Sequence, residues 1–511
     1  MSALEATAGV AAGSQRHALG TGKRHFPHVI GGEPADSTDG RVFETVDPHT
    51  GEPYGTVAEG SAEDARRAAA AARRAFDDGP WPRMAAAERR RLLERLADAI
   101  DAEAEALATL ETRDMGKPIT ESRHFDLPRV SLNLRFFAEL QASAVAEAFP
   151  RDGFHTFTRY GPVGVTAAIA PWNFPLMLAS WKIAPALAFG NTVVLKPAEQ
   201  SPATATRLGE LAAEVLPPGV LNVLHGFGPD AAGEHLVRSE HVNLVTFTGE
   251  SRTGSAVMSA AAPTLKRVSF ELGGKSPNIV FADADLDSAL EGTLHGIFMN
   301  QGEICLAGSR LYVQRPVYDE FLNRLVERAR GLRIGDPLDP STEVGPLVSA
   351  EHLERVRGYL DLAAAEGARF LAGGARPGGP GLDQGSYLEP TIIEGLAPGS
   401  RCMQEEIFGP VLVVAPFDTE AEAVALANGT PYGLAAMVWT TDLGRAHRMS
   451  ERIIAGQVWV NCFFARDLRT PFGGAKRSGI GREGGLNSRE FFTEPKTVTI
   501  SLAASSVPER P

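Results

Sequence analysis

Three residues in this chain have the side chains that acyl chemistry needs. Cys305 stands in "MNQGEICLAGSR" (299–310), Glu271 in "SFELGGKS" and Asn173 in "PWNFP". A cysteine thiolate is a strong nucleophile. A carboxyl raised in pKa by burial can take a proton from water. An Asn amide, with its backbone N–H, can donate to a developing oxyanion. Each residue also has a plainer use: Cys305 as a small core residue, Glu271 as a strand-end acid paired with Lys275, and Asn173 as the close of a Pro-rich turn. Taken together they make a candidate set of nucleophile, base and oxyanion donor. Glu303, inside the same stretch as Cys305, has no evident role.

A second group of residues suits a dinucleotide. No GxGxxG follows any predicted strand, and "GFGPDAAG" (226–233) has the wrong spacing. The strand ends nevertheless supply the needed groups. Lys196 and Glu199 in "LKPAEQSP" place a cation and a carboxylate just after a strand. A carboxylate there accepts both hydrogen bonds of a ribose diol and repels a 2'-phosphate. "FTGESRTG" (247–254) sets Gly249 and Gly254 around a helix start, where free backbone N–H groups can hold a pyrophosphate. The competing readings are a simple turn glycine and a solvated surface acid.

The elements that must position these residues alternate. Residues 61–113 read as helices, opened by Ser61 and Asp64 in capping-box spacing, with Leu92, Leu93, Leu96 and Ile100 at helical intervals. From about 160 to 285, "GVTAAIA", "TVVLK", "VLNVLHG", "NLVTFTG", "RVSFELGG" and "NIVFADAD" read as apolar strands between helices. That texture indicates a parallel sheet covered on both faces, which binds ligands beyond the carboxyl ends of its strands. A second alternating region follows, from about 286 to 475. "KTVTISL" (496–502) has the period-2 pattern of an isolated strand that pairs with another segment or subunit.

Composition sets the outer bounds. A chain of 511 residues calls for two or three domains. Hydrophobic residues at 43% and charged residues at 22% fit a soluble globular protein, and the net charge of -13 argues against nucleic acid as a partner. The three cysteines, Cys305, Cys402 and Cys462, make no disulfide framework, and no Cys/His spacing suggests a metal site. No apolar run is long enough for a membrane span, and the first thirty residues lack the pattern of a secretory signal. The expectation is a cytoplasmic protein with a disordered N-terminal tail over 1–27.

"APWNFP", "KPAEQSP", "FTGESRTG", "FELGGKSP", "NQGEIC", "EEIFGPV" (405–411) and "PFGGAKRSGIGREGG" (471–485), in that order, resemble the motif series of the aldehyde dehydrogenase superfamily. The resemblance covers about residues 28–502. It implies an α/β fold with a parallel-sheet, Rossmann-type NAD domain (28–149 and 163–273), an α/β catalytic domain (274–475) and a small β oligomerisation element (150–162 and 490–503). It also implies a homodimer or homotetramer. In the implied chemistry Cys305 attacks the aldehyde carbon to give a thiohemiacetal, and its backbone N–H and the Asn173 amide hold the oxyanion. Hydride passes to NAD, and Glu271 activates the water that hydrolyses the resulting thioester.

The cofactor contacts implied are Ile169, Ala170, Pro171, Trp172, Lys196, Ala198, Glu199, Gly228, Thr248, Gly249, Glu250, Ser251, Leu272, Glu406 and Phe408. Glu250 is a departure, since the family often has Ser there, against the pyrophosphate. The substrate tunnel is expected near Leu176, Met177, Trp181, Phe472, Arg129 and Arg466, with Arg469 an alternative to Arg466. "RDLRTPFGG", "DLPR" and "FTGES" are similar to the hydroxymuconic and aminomuconic semialdehyde dehydrogenase branch, so the expected substrate is an aldehyde that carries a carboxylate. Alternatives of the same fold are a broad-specificity or betaine-type enzyme and a CoA-acylating semialdehyde dehydrogenase. The latter would not need Glu271. A non-catalytic cofactor-binding protein would not need Cys305, Glu271 and Asn173 together.

Overall fold

The computed structural model describes residues 24–502. In it the apolar runs between 165 and 271 become parallel neighbours in one eight-stranded sheet. Their spatial order is Arg267–Glu271, Leu244–Thr248, Val165–Ile169, Thr192–Lys196, Leu221–Val223. The chain therefore winds from Val165–Ile169 to one side, then returns to the other. The winding reverses between Val165–Ile169 and Leu244–Thr248, and a ligand crevice opens outside the carboxyl ends of the strands at such a reversal. The two segments that leave it carry Asn173 and Glu250.

The helices that cover this sheet follow their sequence signals. Ser61 Oγ accepts the Asp64 N–H at 3.2 Å and the Asp64 carboxylate accepts the Ser61 N–H at 3.0 Å, so the capping box opens helix Ala62–Asp77. Leu93, Leu96 and Ile100 of helix Ala86–Ala102 are buried, and Leu92 is half-buried at its margin. Helix Pro175–Ala188 is apolar almost throughout and buried almost throughout.

"NIVF" does not continue the first sheet, as its texture suggests. Pro277–Val280 lies inside a second, seven-stranded sheet, parallel to Arg310–Gln314 on one side and Ala435–Trp439 on the other. The Gly273–Gly274 turn makes the crossing. A Cβ on Gly274 would stand 2.4 Å from the Cys305 carbonyl oxygen, so only glycine lets the strand end that carries Glu271 pass this close to the nucleophile loop. Periodicity cannot report which sheet a strand joins.

Residues Thr493–Ser501 pair antiparallel with Phe154–Pro162 along their whole length, and Ala148–Arg151 completes a three-stranded sheet. Gly479–Ile480 returns to the first sheet beside Arg267–Glu271. Residues 1–23 of the expected tail lie outside the described residues. Arg24–Phe26, placed in that tail, is instead a strand parallel to Pro53–Ala58. Phe26 is the cause: it is fully buried against Tyr54 and Val57.

Candidate active site

Cys305 follows a turn with unusual backbone. Asn300, Gln301 and Gly302 have φ of 48°, 52° and 73°. A Cβ on Gly302 would stand 2.2 Å from the Gly409 carbonyl oxygen, so the turn can press against 409–410 only with glycine there. The thiol is half-buried at the floor of a cleft. Burial, then the carboxylates of Glu406 and Glu271, push it up to about 12, and the Arg466 guanidinium acts the other way.

Glu271 ends its strand with 5% of its surface exposed, and neither carboxylate oxygen has a hydrogen-bond partner among the described residues. Burial, then the neighbouring Glu483, hold it well above the usual carboxylate range, against the pull of Lys182, Arg466 and Arg482. The alternative pairing with Lys275 is not made, because the buried Lys275 Nζ has no partner either. Asn173 is buried, and its Nδ2 donates to the Glu303 carbonyl at 2.9 Å. An amide has two N–H donors, so one anchors the side chain and one is left for a ligand.

A cleft of about 730 Å³ runs from Cys305 and Asn173 across the switch point of the first sheet. Ile169, Ala170, Pro171, Trp172, Lys196, Ala198, Glu199, Gly228, Thr248, Gly249, Glu250, Leu272, Glu406 and Phe408 all line it. Lys196 Nζ lies 3.7 Å from a Glu199 carboxylate oxygen and donates to the Pro197 carbonyl. Glu406 accepts the Gly274 N–H at 2.9 Å, and burial brings its carboxyl up to about 7. The Phe408 ring stands edge-on to Trp172, with centroids 5.2 Å apart.

Several expectations need correction. Ser251 does not line the cleft: its hydroxyl donates to the Arg477 carbonyl at 3.1 Å. The N–H groups of Gly249 and Gly254 are not free, since they donate to the Glu271 and Glu250 carbonyls. The unpaired N–H groups at this helix start belong instead to the first turn of Ser251–Ala261. Leu176 has no exposed surface and offers nothing to a tunnel, since its backbone N–H is tied to buried Glu111. Arg469 is exposed and held by Asp467, which removes it as an alternative to Arg466.

Glu250, by contrast, does face the cleft. Its carboxylate lies 3.6 Å from Arg355 and 3.8 Å from Arg252, so two guanidiniums offset its charge where a pyrophosphate would lie.

The other end of the set lies beyond Cys305, outside that cleft. The Arg466 guanidinium sits 3.7 Å over the Phe472 ring and 4.9 Å from that of Trp181. Neither the Arg466 nor the Arg129 guanidinium makes a hydrogen bond or ion pair among the described residues. Burial, then the Arg129 guanidinium, bring Arg466 down to about 10, while Glu271 and Cys305 pull it up. Two cations therefore share one half-buried region: Arg466 lies near the thiol, and the Asp467 carboxylate draws on Arg129 without closing to ion-pair distance. Met177 and Trp181 are buried nearby on helix Pro175–Ala188.

Sequence reasoning missed three features. His352 and Arg355, on helix Ala350–Ala365, which packs against the seven-stranded sheet, line the cleft from its other side. Lys182 is fully buried and pairs with Glu483 at 3.2 Å, next to Glu271. One lysine in an otherwise apolar helix was a usable signal, because a buried charge needs a partner. Glu303 is also placed: its buried carboxylate accepts the Val348 N–H at 3.0 Å and so braces the cleft wall against the nucleophile loop.

With this geometry in view, comparison with known proteins is direct. The model of the aldehyde dehydrogenase family matches residues 35–498. The chain is 48% identical to a 2-hydroxymuconic semialdehyde dehydrogenase of Pseudomonas sp. (strain CF600), over 94% of this chain and 100% of that protein. It is 46% identical to a 2-aminomuconic semialdehyde dehydrogenase of Danio rerio, over 90% of this chain and 95% of that protein. Among solved structures, a mutant of the P. syringae indole-3-acetaldehyde dehydrogenase in complex with NAD+ and IAA is similar with a TM-score of 0.91 and 44% identity. That match covers 93% of this chain and 97% of the other.

Proposed function

The chain belongs to the aldehyde dehydrogenase family, and from that premise we propose that it oxidises a carboxylate-bearing semialdehyde, of the 2-hydroxymuconic or 2-aminomuconic kind, through Cys305. NAD-dependent oxidation of an aldehyde to the acid is the family activity of this enzyme. The substrate class rests on one observation: the Arg466 guanidinium, with Arg129 near it, lies beside Cys305 and Glu271 and has no carboxylate within ion-pair distance among the described residues. Burying two unpaired guanidiniums is costly, and a substrate carboxylate that bridges them offsets that cost with charge-assisted hydrogen bonds.

The residues present fit NAD. The free N–H groups at the start of Ser251–Ala261 face a cleft of suitable volume, Glu199 stands where a ribose diol is read, and Arg355 and Arg252 offset Glu250. NAD, when bound, supplies the hydride acceptor.

Everything else falls to the chain. Cys305 Sγ adds to the aldehyde carbon while the free N–H of the Asn173 amide and the Cys305 N–H hold the oxygen. Once hydride has left, a thioester remains on Cys305. Glu271, unpaired and high in pKa, removes a proton from the water that cleaves it, and the acid departs with the thiol regenerated. Burial and the carboxylates of Glu406 and Glu271 favour the neutral thiol, and the Arg466 guanidinium is the cation beside it that favours the thiolate.

The exposed Phe149, Ile500 and Leu502 lie on or next to the three-stranded sheet, and both of its outer strands have unpaired edges among the described residues. We assign this sheet to contact with a second copy, in a homodimer or homotetramer. No helix among the described residues is long and apolar enough to cross a membrane, and we place the enzyme in the cytoplasm.

The test of the substrate class is an NADH-formation screen of semialdehydes matched in length, with and without a distal carboxylate. We expect kcat/KM at least about 10-fold higher with the carboxylate, the least that a charged hydrogen-bonding pair supplies. Equal values would overturn the substrate assignment.

A further inference from the structure

The left-handed turn ahead of Cys305 is strained. For non-glycine residues such as Asn300 and Gln301 this backbone costs on the order of 1–3 kcal/mol each, and it persists only where the surroundings impose it. One of the groups that impose it is remote in sequence. The Glu121 carboxylate accepts the Asn300 backbone N–H with both oxygens, each at 3.1 Å. Asn300 then spends its side-chain amide on the carbonyls of Asn173, at 2.9 Å, and Glu303, at 3.3 Å. The Asn173 amide closes the triangle on that same Glu303 carbonyl.

Glu121 occupies a singular place in the chain. It ends the short helix Ile119–Glu121, and the backbone runs on as a π-turn, Ser122–Asp126, before helix Leu127–Ala142, which carries Arg129. Single π-turns interrupt helices frequently at functional sites. Here the interruption stands between the anchor of the nucleophile turn and one of the two unpaired guanidiniums.

We propose that Glu121 is a positioning residue: its grip on Asn300 fixes the Asn300–Gly302 turn and, through the Asn300 amide, sets Asn173 and Cys305 for attack. The Glu121 carboxylate forms no hydrogen bond with the Cys305 thiol and acts through Asn300. The inference rests on the reading of Cys305 as nucleophile and Asn173 as oxyanion donor.

The test is a set of three variants measured at saturating NAD and aldehyde. Glu121→Ala leaves the Asn300 N–H unpaired and frees the turn. A misplacement of about 1 Å at reacting atoms costs roughly 100-fold, so kcat should fall about 10- to 100-fold while KM for NAD stays within about twofold. Glu121→Gln keeps an acceptor oxygen at the same reach and should restore kcat to within about threefold of wild type. Glu121→Asp keeps the charge but loses the reach, and should behave like the alanine variant. A merely structural role predicts a lower melting temperature with wild-type kcat in Glu121→Ala, and that result overturns the proposal. If the alanine variant does not fold, Glu121→Asp with full kcat overturns it. A wild-type enzyme that does not depend on Cys305 would instead defeat the underlying reading, and this shows before any Glu121 variant is made.

Discussion

Arg466 lies with its guanidinium 3.7 Å above the ring of Phe472 and with no carboxylate in ion-pair reach among the described residues. A guanidinium stacked on aromatic faces, with no carboxylate in ion-pair reach, keeps its donors available to a ligand carboxylate. Arg466→Ala and Arg129→Ala should each lower kcat/KM for a carboxylate-bearing semialdehyde about 10- to 100-fold, the worth of one charge-assisted hydrogen bond. An uncarboxylated aldehyde of the same length should change by less than about threefold. Parallel losses on both substrates would mean that the arginines serve the fold rather than recognition.

Glu271 has both carboxylate oxygens unpartnered. Glu271→Gln keeps its shape and removes its basicity, so thioester hydrolysis should slow about 100- to 10,000-fold. Rapid-mixing experiments should still show one equivalent of NADH formed in the first turnover, with the acyl group trapped on Cys305. Loss of that first turnover would place Glu271 in the attack step instead.

Glu199 lines the cleft with its carboxylate partly exposed, near Lys196. Glu199→Gln removes the charge that repels a 2'-phosphate. The ratio of kcat/KM for NAD over NADP should drop by about 10-fold or more, mainly through a gain with NADP. An unchanged ratio would move the ribose elsewhere in the cleft.

His28 and His225 stack with ring centroids 5.8 Å apart, both buried. Burial lowers His28 from 6.5 to about 4. The folded protein therefore refuses a proton that the unfolded chain accepts below pH 6.5. Stability is unaffected above that pH and falls as pH drops from 6.5 towards 4, by about 2–3 kcal/mol at pH 4.5 from this residue. Urea unfolding at pH 7 and pH 4.5 should show His28→Gln losing less stability across the interval than wild type. An identical loss would show that His28 does not contribute to the acid sensitivity.

Much of this site is legible in the sequence. Asn173, Glu199, Glu250 and Glu271 sit at or just beyond strand ends, and parallel sheets bind ligands there, so local pattern located them. What escaped were relations across the chain. Gly249 looked like a free donor, yet its N–H is spent on the neighbouring strand end at Glu271. Leu176 has the right place in sequence for a tunnel but turns into the core. Glu303 had no meaning until Val348, 45 residues away, came to rest on its carboxylate. Glu250 reads as a charge clash in the sequence, and Arg355, 105 residues on, offsets it in the fold.

The central claim is that Cys305 forms and breaks a bond to the substrate in every turnover. Its most direct measurement is NADH formation by purified Cys305→Ala beside wild type, with a carboxylate-bearing semialdehyde and with folding checked by thermal melt. The account predicts an intact fold and a rate lower by at least about 1,000-fold, as expected when a covalent nucleophile is removed. Full dehydrogenase activity in Cys305→Ala would contradict it.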